Sequence, residues 1–300
     1  QIVRTFFLTV SLFSLFAMNA GSQQPIKNYE KEWKKVEAFN KKELPKSALV
    51  EVKKIYVLAK KEKQDAQVIK SLVYMTVLQS ENREDNEIFS FAEVEKEISL
   101  SKEPVTAILK SILAEMHWNY YQQHRWQLYD RTKTEKFNKT DIATWDAVDF
   151  HKKIGELYLQ SIKEEKLLQQ TKLEPFDAII IRGNIRHLRP TLYDLLAHRA
   201  ISYFENDERD INKPAYAFEI DQASAFDPAA DFVKRKFTTK DSLSLQHKAL
   251  LIYQKLINFH LADKKPDALI DADIKRIEFV NTNSTHPDKD KLYFNAINHI

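Results

Sequence analysis

Apolar side chains recur at intervals of three and four residues along most of the chain, which is the spacing of one helix face. The first stripe contains Tyr29, Trp33 and Val36, and Pro45 then restarts the pattern where proline suits a first helical turn. The predicted helices cover residues 29–40, 45–61, 65–76, 88–100, 105–129, 150–162, 191–204, 243–260, a segment after 267 and 288–300. Asp141 is predicted as the N-cap of the sixth helix.

Short polar turns separate the first helices and suggest how they pack. A helix, a short turn and a second helix together take about 34 residues, which is the period of a tetratricopeptide repeat. The full sequence signature of that repeat is missing. We therefore predict an all-α fold of stacked antiparallel helical hairpins, TPR-like and arranged as an α-solenoid. In such an array each helix buries its apolar stripe against its neighbours.

The helical spacing fails between residues 205 and 241. Pro214 and Pro228 interrupt this stretch, and the alternating apolar residues of 216–220 are typical of a short strand. A connection of this length is unusual unless it packs on the surface or has a function. A shorter apolar segment, 175–181, is compatible with buried helix or with extended chain.

These patterns divide the chain into four parts. They are a signal peptide at 1–22, a helical array at 23–204, an irregular connection at 205–241 and a helical segment at 242–300. The last helical pattern reaches Ile300 without a capping signal, and Gln1 stands where a start methionine is expected. We therefore expect the sequence to be a fragment of a longer protein.

The signal-peptide prediction rests on three features near the N-terminus. Arg4 supplies a positive charge, residues 6–16 form an apolar run, and small residues follow, with cleavage after Ala20 or Ser22. The apolar run is shorter than a membrane span of about 20 residues. The alternative is a hydrophobic first helix. We expect an exported protein, periplasmic or associated with the outer membrane or cell surface, with no transmembrane span.

The composition excludes several classes of protein. Only three glycines occur, which is too few for an all-β fold with hairpin turns, and which excludes a phosphate-binding loop and a nucleophile elbow. Cysteine is absent, so the chain has no disulfide, thiolate metal site, cysteine nucleophile or lipid-attachment cysteine. Basic and acidic residues are interspersed, with a net charge of +3, unlike the one-sided basic surface of a nucleic-acid binder.

Patterns for metal binding and catalysis are missing as well. None of the nine histidines has another histidine three to five positions away, as zinc sites usually need. Residues 206–212 alternate oxygen ligands like a calcium loop, but Ile211 and Ala217 stand where that loop needs glycine and glutamate. No pair of carboxylates stands out for glycoside hydrolysis. We predict no catalytic residue, no metal, no cofactor and no enzymatic activity.

The most distinctive stretch is the aromatic run at 117–129. Trp118, Tyr121 and Arg125 fall on one helical stripe, and Trp126 follows directly. Protein-binding hot spots favour aromatic residues together with arginine, so these four residues are candidates for partner binding. The same residue types also build cores between stacked helices, with Arg125 lying over a ring. The sequence leaves both interpretations open.

Several stretches resemble the start of large alpha-2-macroglobulin-family proteins of Bacteroidota, and the resemblance extends over essentially the whole mature chain. The closest match runs from Arg189 to Ala200. The stretches are Leu44-Pro45-Lys46-Ser47-Ala48-Leu49, Val52-Lys53-Lys54-Ile55-Tyr56, Ala59-Lys60-Lys61-Glu62, Leu113-Ala114-Glu115-Met116, Arg125-Trp126 and Arg189-Pro190-Thr191-Leu192-Tyr193-Asp194-Leu195-Leu196-Ala197-His198-Arg199-Ala200.

This resemblance implies a helical N-terminal region that precedes a series of macroglobulin-like β-domains. Relatives trap proteases: a bait segment is cut, the molecule rearranges and the protease is enclosed. Some relatives carry a Cys-Gly-Glu-Gln thioester for covalent capture, which a chain without cysteine lacks. The resemblance assigns inhibition to an intact protein, and it transfers no active residue to this chain.

Three functions are compatible with the sequence. The first is a non-catalytic scaffold and interaction segment of an exported alpha-2-macroglobulin-like protease inhibitor. Its partners would be downstream domains of the same chain, envelope proteins and, through the intact protein, proteases. The second is a freestanding periplasmic TPR-like adaptor that binds envelope proteins. The third, a more remote alternative, is an α-helical enzyme that acts on glycans.

Overall fold

The computed structural model describes residues 27–80, 86–129, 142–208 and 214–300. Within these ranges the chain forms twelve α-helices and only isolated β-bridges. The helices are α1 Glu30–Asn40, α2 Pro45–Glu62, α3 Asp65–Ser80, α4 Asn86–Leu100, α5 Val105–Tyr129, α6 Ala147–Ser161, α7 Glu165–Gln170, α8 Leu192–Phe204, α9 Ala229–Phe232, α10 Leu245–His260, α11 Asp267–Asn283 and α12 Lys289–Ile297. The all-α prediction is confirmed for this part of the chain, and the signal peptide predicted at 1–22 lies outside it.

Local sequence signals set the ends of several helices. Pro45 occupies the first turn of α2, and Lys63 ends that helix in the left-handed conformation, with φ of 53°. Helix α8 begins with a capping box between Thr191 and Asp194. The sequence predicts Asp141 as the cap of α6, but this helix starts later and is capped by Asp146. Asp141 itself lies outside the described residues.

The first five helices pack mainly against their neighbours in sequence. Helix α2 contacts both α1 and α3, α4 contacts α3 and α5, and α5 lies along α6. Trp33 of α1 reaches Tyr74 of α3, with ring centroids 4.8 Å apart. This neighbour order is what stacked hairpins require, and the superhelical geometry of a solenoid stays a prediction.

Helix α8 joins the first helices to the last ones. It contacts α5, α6 and α7 as well as α10, and α10 in turn packs against α11. The sequence pattern does not predict α7, because six residues are too few to show a helical period. The longest helix is α5, with 25 residues. None of the helices in the described ranges combines the length and apolar composition that crossing a membrane needs.

Both ambiguous segments adopt irregular structure. Segment 175–181 is neither a regular helix nor a strand: a 3-10 turn spans Glu174–Phe176 and a turn follows. Phe176 is buried there, while Ile181 is 97% exposed. The strand predicted at 216–220 is wrong, because only a single parallel bridge forms, between Ile220 and Ser284. Ser284 follows a helix and provides no strand with which a ladder could continue.

Residues 214–241 of the long connection are packed onto the last helices. Phe218, Ile220, Phe232 and Phe237 are all buried in the apolar core. A 3-10 turn at 223–226 and the short helix α9 interrupt the chain path. The irregular connection that the sequence predicts is therefore an ordered part of the body over these residues.

One buried arginine holds this connection in place. Arg276 of α11 is 0% exposed and donates to the carbonyl oxygens of Ala225, at 2.6 Å, and Asp227, at 3.0 Å. Its guanidinium lies 4.5 Å from the ring centroid of Phe232 and pairs with the carboxylate of Asp273. A buried guanidinium is stable only when its donors have acceptors, and here backbone carbonyls and one carboxylate supply them.

Candidate functional site

Two of the four residues predicted to bind a partner lie inside the protein. Tyr121 is completely buried. Trp118 is half-buried and packs against three rings, with centroids 5.4 Å from Tyr121, 5.3 Å from Tyr203 and 5.9 Å from His151. This aromatic cluster joins α5, α6 and α8, which is the core role that the sequence also allowed.

The other two candidate residues face the surface. The Arg125 guanidinium lies 4.7 Å from the ring centroid of Trp126, and its Nη1 atom is 3.0 Å from a carboxylate oxygen of Glu208. Trp126 is 71% exposed. Arg125 therefore lies over a ring, but over the exposed ring of Trp126 and not within a core between helices. The four candidates separate into a core pair and a surface pair, and partner binding stays a prediction for the surface pair.

Several histidines of the described residues serve packing or hydrogen bonding. His117 stacks on Phe91 with ring centroids 4.3 Å apart, and burial lowers the pKa of His117 to about 4. His247 bonds to the carbonyl oxygen of Phe237, at 2.8 Å from its Nε2 atom. Among the described residues no three histidine, aspartate or glutamate side chains converge as metal ligands. Residues 209–213 of the acidic loop lie outside that range.

A polar pocket with a volume of about 480 Å³ opens between α8, α10 and α11. Its wall contains two cationic residues, Arg189 and Lys275, and two acidic residues, Glu205 and Glu278. The remaining polar lining residues are His198, Ser202, Tyr253, Thr282 and Asn283. Both signs of charge and several hydrogen-bonding groups thus line one concave space.

One short hydrogen bond holds an acidic residue of this pocket in place. Tyr253 of α10 is buried, and its hydroxyl donates to Oε1 of Glu205 at 2.6 Å. Enclosure by neighbouring groups raises the pKa of Glu205, and the hydrogen bond from Tyr253 acts in the opposite direction. This hydrogen bond fixes the carboxyl group of Glu205, at the end of α8, against α10.

The pocket lining also contains an arginine, a lysine and a neutral histidine. The Arg189 Nε atom lies 3.5 Å from Oδ2 of Asp271, and His198 Nε2 lies 3.9 Å from the same oxygen. Burial, together with the positive charges of Arg189 and Lys275, lowers the pKa of His198 to about 3. His198 is therefore uncharged at neutral pH. Within the described part of the chain, Lys275 and Glu278 have no ion-pair partner.

Next to the pocket, two aspartates and a histidine form hydrogen-bonded contacts. These residue types also occur in catalytic relays, but here the contacts connect two helices. Asp194 accepts hydrogen bonds from the backbone and hydroxyl of Thr191, at 2.8 and 2.7 Å, and contacts His260 at 2.6 Å. The second nitrogen of His260 contacts Asp263 at 2.7 Å. Asp194 and His260 are almost fully buried, and their contact joins α8 to α10.

Sequence patterns did not reveal this pocket, because its residues come from positions 189 to 283 on separate helices. Lys275 and Glu278 provide the only local signal, a pair of opposite charges three residues apart on α11. Such pairs are common on solvated helix faces. The segment 189–200, which carries the closest family resemblance, supplies Arg189 and His198 to the pocket.

No family model matches the chain, and neither does any curated protein or solved structure. The resemblance to the alpha-2-macroglobulin family therefore stays a prediction. Assignment of a function depends on that resemblance and on the geometry of the described residues.

Proposed function

We propose that this chain is a non-catalytic helical scaffold and interaction segment of a large exported alpha-2-macroglobulin-like protein, whose intact form inhibits proteases. The resemblance of 189–200 and the other quoted stretches motivates the family. An N-terminal signal peptide accounts for export to the periplasm or to the outer membrane and cell surface. In this proposal the segment holds and positions other domains, and protease capture belongs to the intact protein.

The non-catalytic role is supported by the buried charged groups, which form hydrogen bonds between elements of the fold. Glu97 of α4 accepts hydrogen bonds from Tyr56 and Lys60 of α2, at 2.6 and 2.7 Å. Asp194 and His260 join α8 to α10, and Arg276 joins α11 to the connection before α10. Each of these groups is fully engaged between elements of the fold. Groups committed in this way support a rigid body rather than proton transfer to a substrate.

In this proposal, the surface pair Arg125 and Trp126 contacts a partner. Arginine and tryptophan are enriched in protein-binding hot spots. Glu208 and the Trp126 ring both contact the Arg125 guanidinium, so this side chain is held in one orientation. We assign this pair to contact with a downstream domain of the same protein.

The first test is to sequence the coding region beyond Ile300 and to assay protease inhibition by the complete protein and by residues 1–300. We expect repeated β-sandwich domains downstream, inhibition by the complete protein, and none by the segment alone. A reading frame that stops shortly after Ile300 would contradict the proposal. So would inhibition by the segment alone.

The second candidate is a freestanding TPR-like adaptor that binds envelope proteins. The consecutive packing of α1 to α5 favours it, because such helical arrays present extended grooves to partners. The same sequencing experiment separates the two candidates. An early stop codon supports the adaptor, and a long β-rich continuation supports the inhibitor scaffold.

A further inference from the structure

We propose that the pocket between α8, α10 and α11 binds a small zwitterionic ligand, in which an ammonium and a carboxylate group lie a few bonds apart, as in a short peptide. This inference goes beyond the scaffold function and does not depend on the protease-inhibitor family. It is based on the placement of opposite charges in one cavity of suitable size.

Two residues of opposite charge line the cavity without an ion pair. Lys275 is partly buried and Glu278 is exposed, and neither forms an ion pair with any described residue. They stand one helical turn apart on α11. A ligand with groups of both signs can satisfy the lysine and the glutamate at the same time, whereas a simple anion or cation would satisfy only one of them.

A second residue of the same charge, from another element, accompanies each of Lys275 and Glu278 in the lining. Arg189 also lines the cavity, and its contact with Asp271 at 3.5 Å leaves further guanidinium donors. Glu205 adds a carboxyl group that Tyr253 holds in place, and the charge of Lys275 opposes the rise that burial causes in the pKa of Glu205. The cavity therefore offers cationic groups to a carboxylate and acidic groups to an ammonium group.

The dimensions of the cavity also agree with such a ligand. Small-molecule pockets typically have volumes of about 300–1,000 Å³, and this cavity of about 480 Å³ lies within that range. Thr282 and Asn283 already hydrogen-bond within the protein, so the charged lining residues provide the recognition. A nucleotide fits less well, because the acidic residues would repel its phosphates.

The test is isothermal titration calorimetry on the purified chain with four probes. They are dialanine, N-acetyl-dialanine, dialanine amide and the neutral disaccharide maltose. We expect dialanine to bind and each blocked form to bind at least about tenfold more weakly, because each lacks one charge. Maltose binding that equals dialanine binding would overturn the proposal and assign the pocket to neutral polyols. Failure of dialanine to bind at millimolar concentration would also overturn it.

Substitutions locate the binding in this pocket. Lys275→Met and Glu278→Gln should each weaken dialanine binding by about tenfold or more. The matched controls Lys291→Met and Asp290→Asn change exposed charges on α12 and should leave binding unchanged. Circular dichroism confirms that each variant is folded. Equal weakening by the pocket and control variants would contradict the assigned location.

The pocket proposal and the proposed function can be disproved independently of each other. Dialanine binding is measured on residues 1–300 alone, so downstream domains do not affect it. Conversion of a probe to a product would contradict the non-catalytic role and leave the binding site intact. Loss of dialanine binding with normal inhibition by the complete protein would overturn only the pocket proposal.

Discussion

The Nε2 atom of His260 lies 2.6 Å from Oδ1 of Asp194, and both side chains are almost fully buried. His260 is the last residue of α10, and Asp194 belongs to the capping box of α8. This contact therefore ties the C-terminal end of one helix to the N-terminal end of another. Positive charge at the end of α10 and negative charge at the start of α8 also suit both helix dipoles.

This contact predicts a loss of stability at high pH. Burial opposes protonation of His260, but the hydrogen bonds and charges of Asp194 and Asp263 outweigh it, so the pKa of His260 is raised. Its contribution is complete below the pKa of an unfolded histidine, about 6.5, and is lost as the pH rises through the raised folded value. Urea unfolding of the wild type should show this decline above pH about 6.5.

The His260→Gln variant tests the assignment. It should be less stable than the wild type at low pH and should lack the decline, because glutamine does not titrate. His299→Gln, at an exposed position, is the matched control and should retain the decline. An unchanged pH dependence in His260→Gln would assign the decline to another group.

Glu97 predicts the opposite pH dependence. Burial raises its pKa, but hydrogen bonds from Lys60, Tyr56 and Ser101 and the charge of Lys60 outweigh this, so the net pKa is lowered. Its contribution is present above the pKa of an unfolded glutamate, about 4.3, and is lost as the pH falls through the lowered value.

The Glu97→Gln variant should lower the free energy of unfolding by about 1–3 kcal/mol at neutral pH, measured by urea unfolding. The loss of stability in acid should also be smaller in this variant than in the wild type. Glu95→Gln is the control, because its partner Lys153 forms an exposed ion pair with it at 3.1 Å. That change should cost less than about 1 kcal/mol. Equal costs for both variants would contradict a special role for Glu97.

Arg276→Met should lower the free energy of unfolding by about 3–5 kcal/mol. It leaves the buried carboxylate of Asp273 without its ion pair and two carbonyl groups without donors. Limited proteolysis should then cut the chain within 214–241. Arg235→Met removes an exposed arginine that bonds to Asp227 at 2.6 Å, and it should cost at most about 1 kcal/mol. Resistance to proteolysis in Arg276→Met would show that apolar packing alone holds the connection.

Trp118→Ala should cost about 3–5 kcal/mol in urea unfolding, because Trp118 packs against three rings. Trp126→Ala, at a position 71% exposed, should change stability by about 0.5 kcal/mol or less. Under the proposed function, it should instead weaken association with a downstream domain of the same protein. A small stability change in Trp118→Ala would contradict its role in the core.

The helices were largely predictable because helical spacing, proline and capping residues act within a few positions. Pro45 and Thr191 mark the starts of α2 and α8 closely. Helical geometry also separates Trp118 from Trp126, since eight residues rotate the chain by about 80° beyond two turns. That rotation moves Trp126 off the stripe that Trp118 shares with Tyr121.

The connection and the pocket were not predictable, because their contacts join distant positions. Arg276 appears in the sequence as an ordinary charged residue of α11, and its acceptors lie about fifty residues earlier. Glu205 and Tyr253 likewise meet only when α8 and α10 pack together. Helical periodicity contains no information about such pairings.

The buried contacts of Arg276 with the connection also affect how rigid the neighbouring pocket is. The connection is attached to α11 through Arg276 and to α10 through Gln254, whose side-chain nitrogen lies 2.9 Å from the carbonyl oxygen of Phe232. Two walls of the pocket are therefore braced by the same strip of chain. A ligand would enter a preorganised cavity, and its affinity would be reduced little by the entropy of ordering the walls.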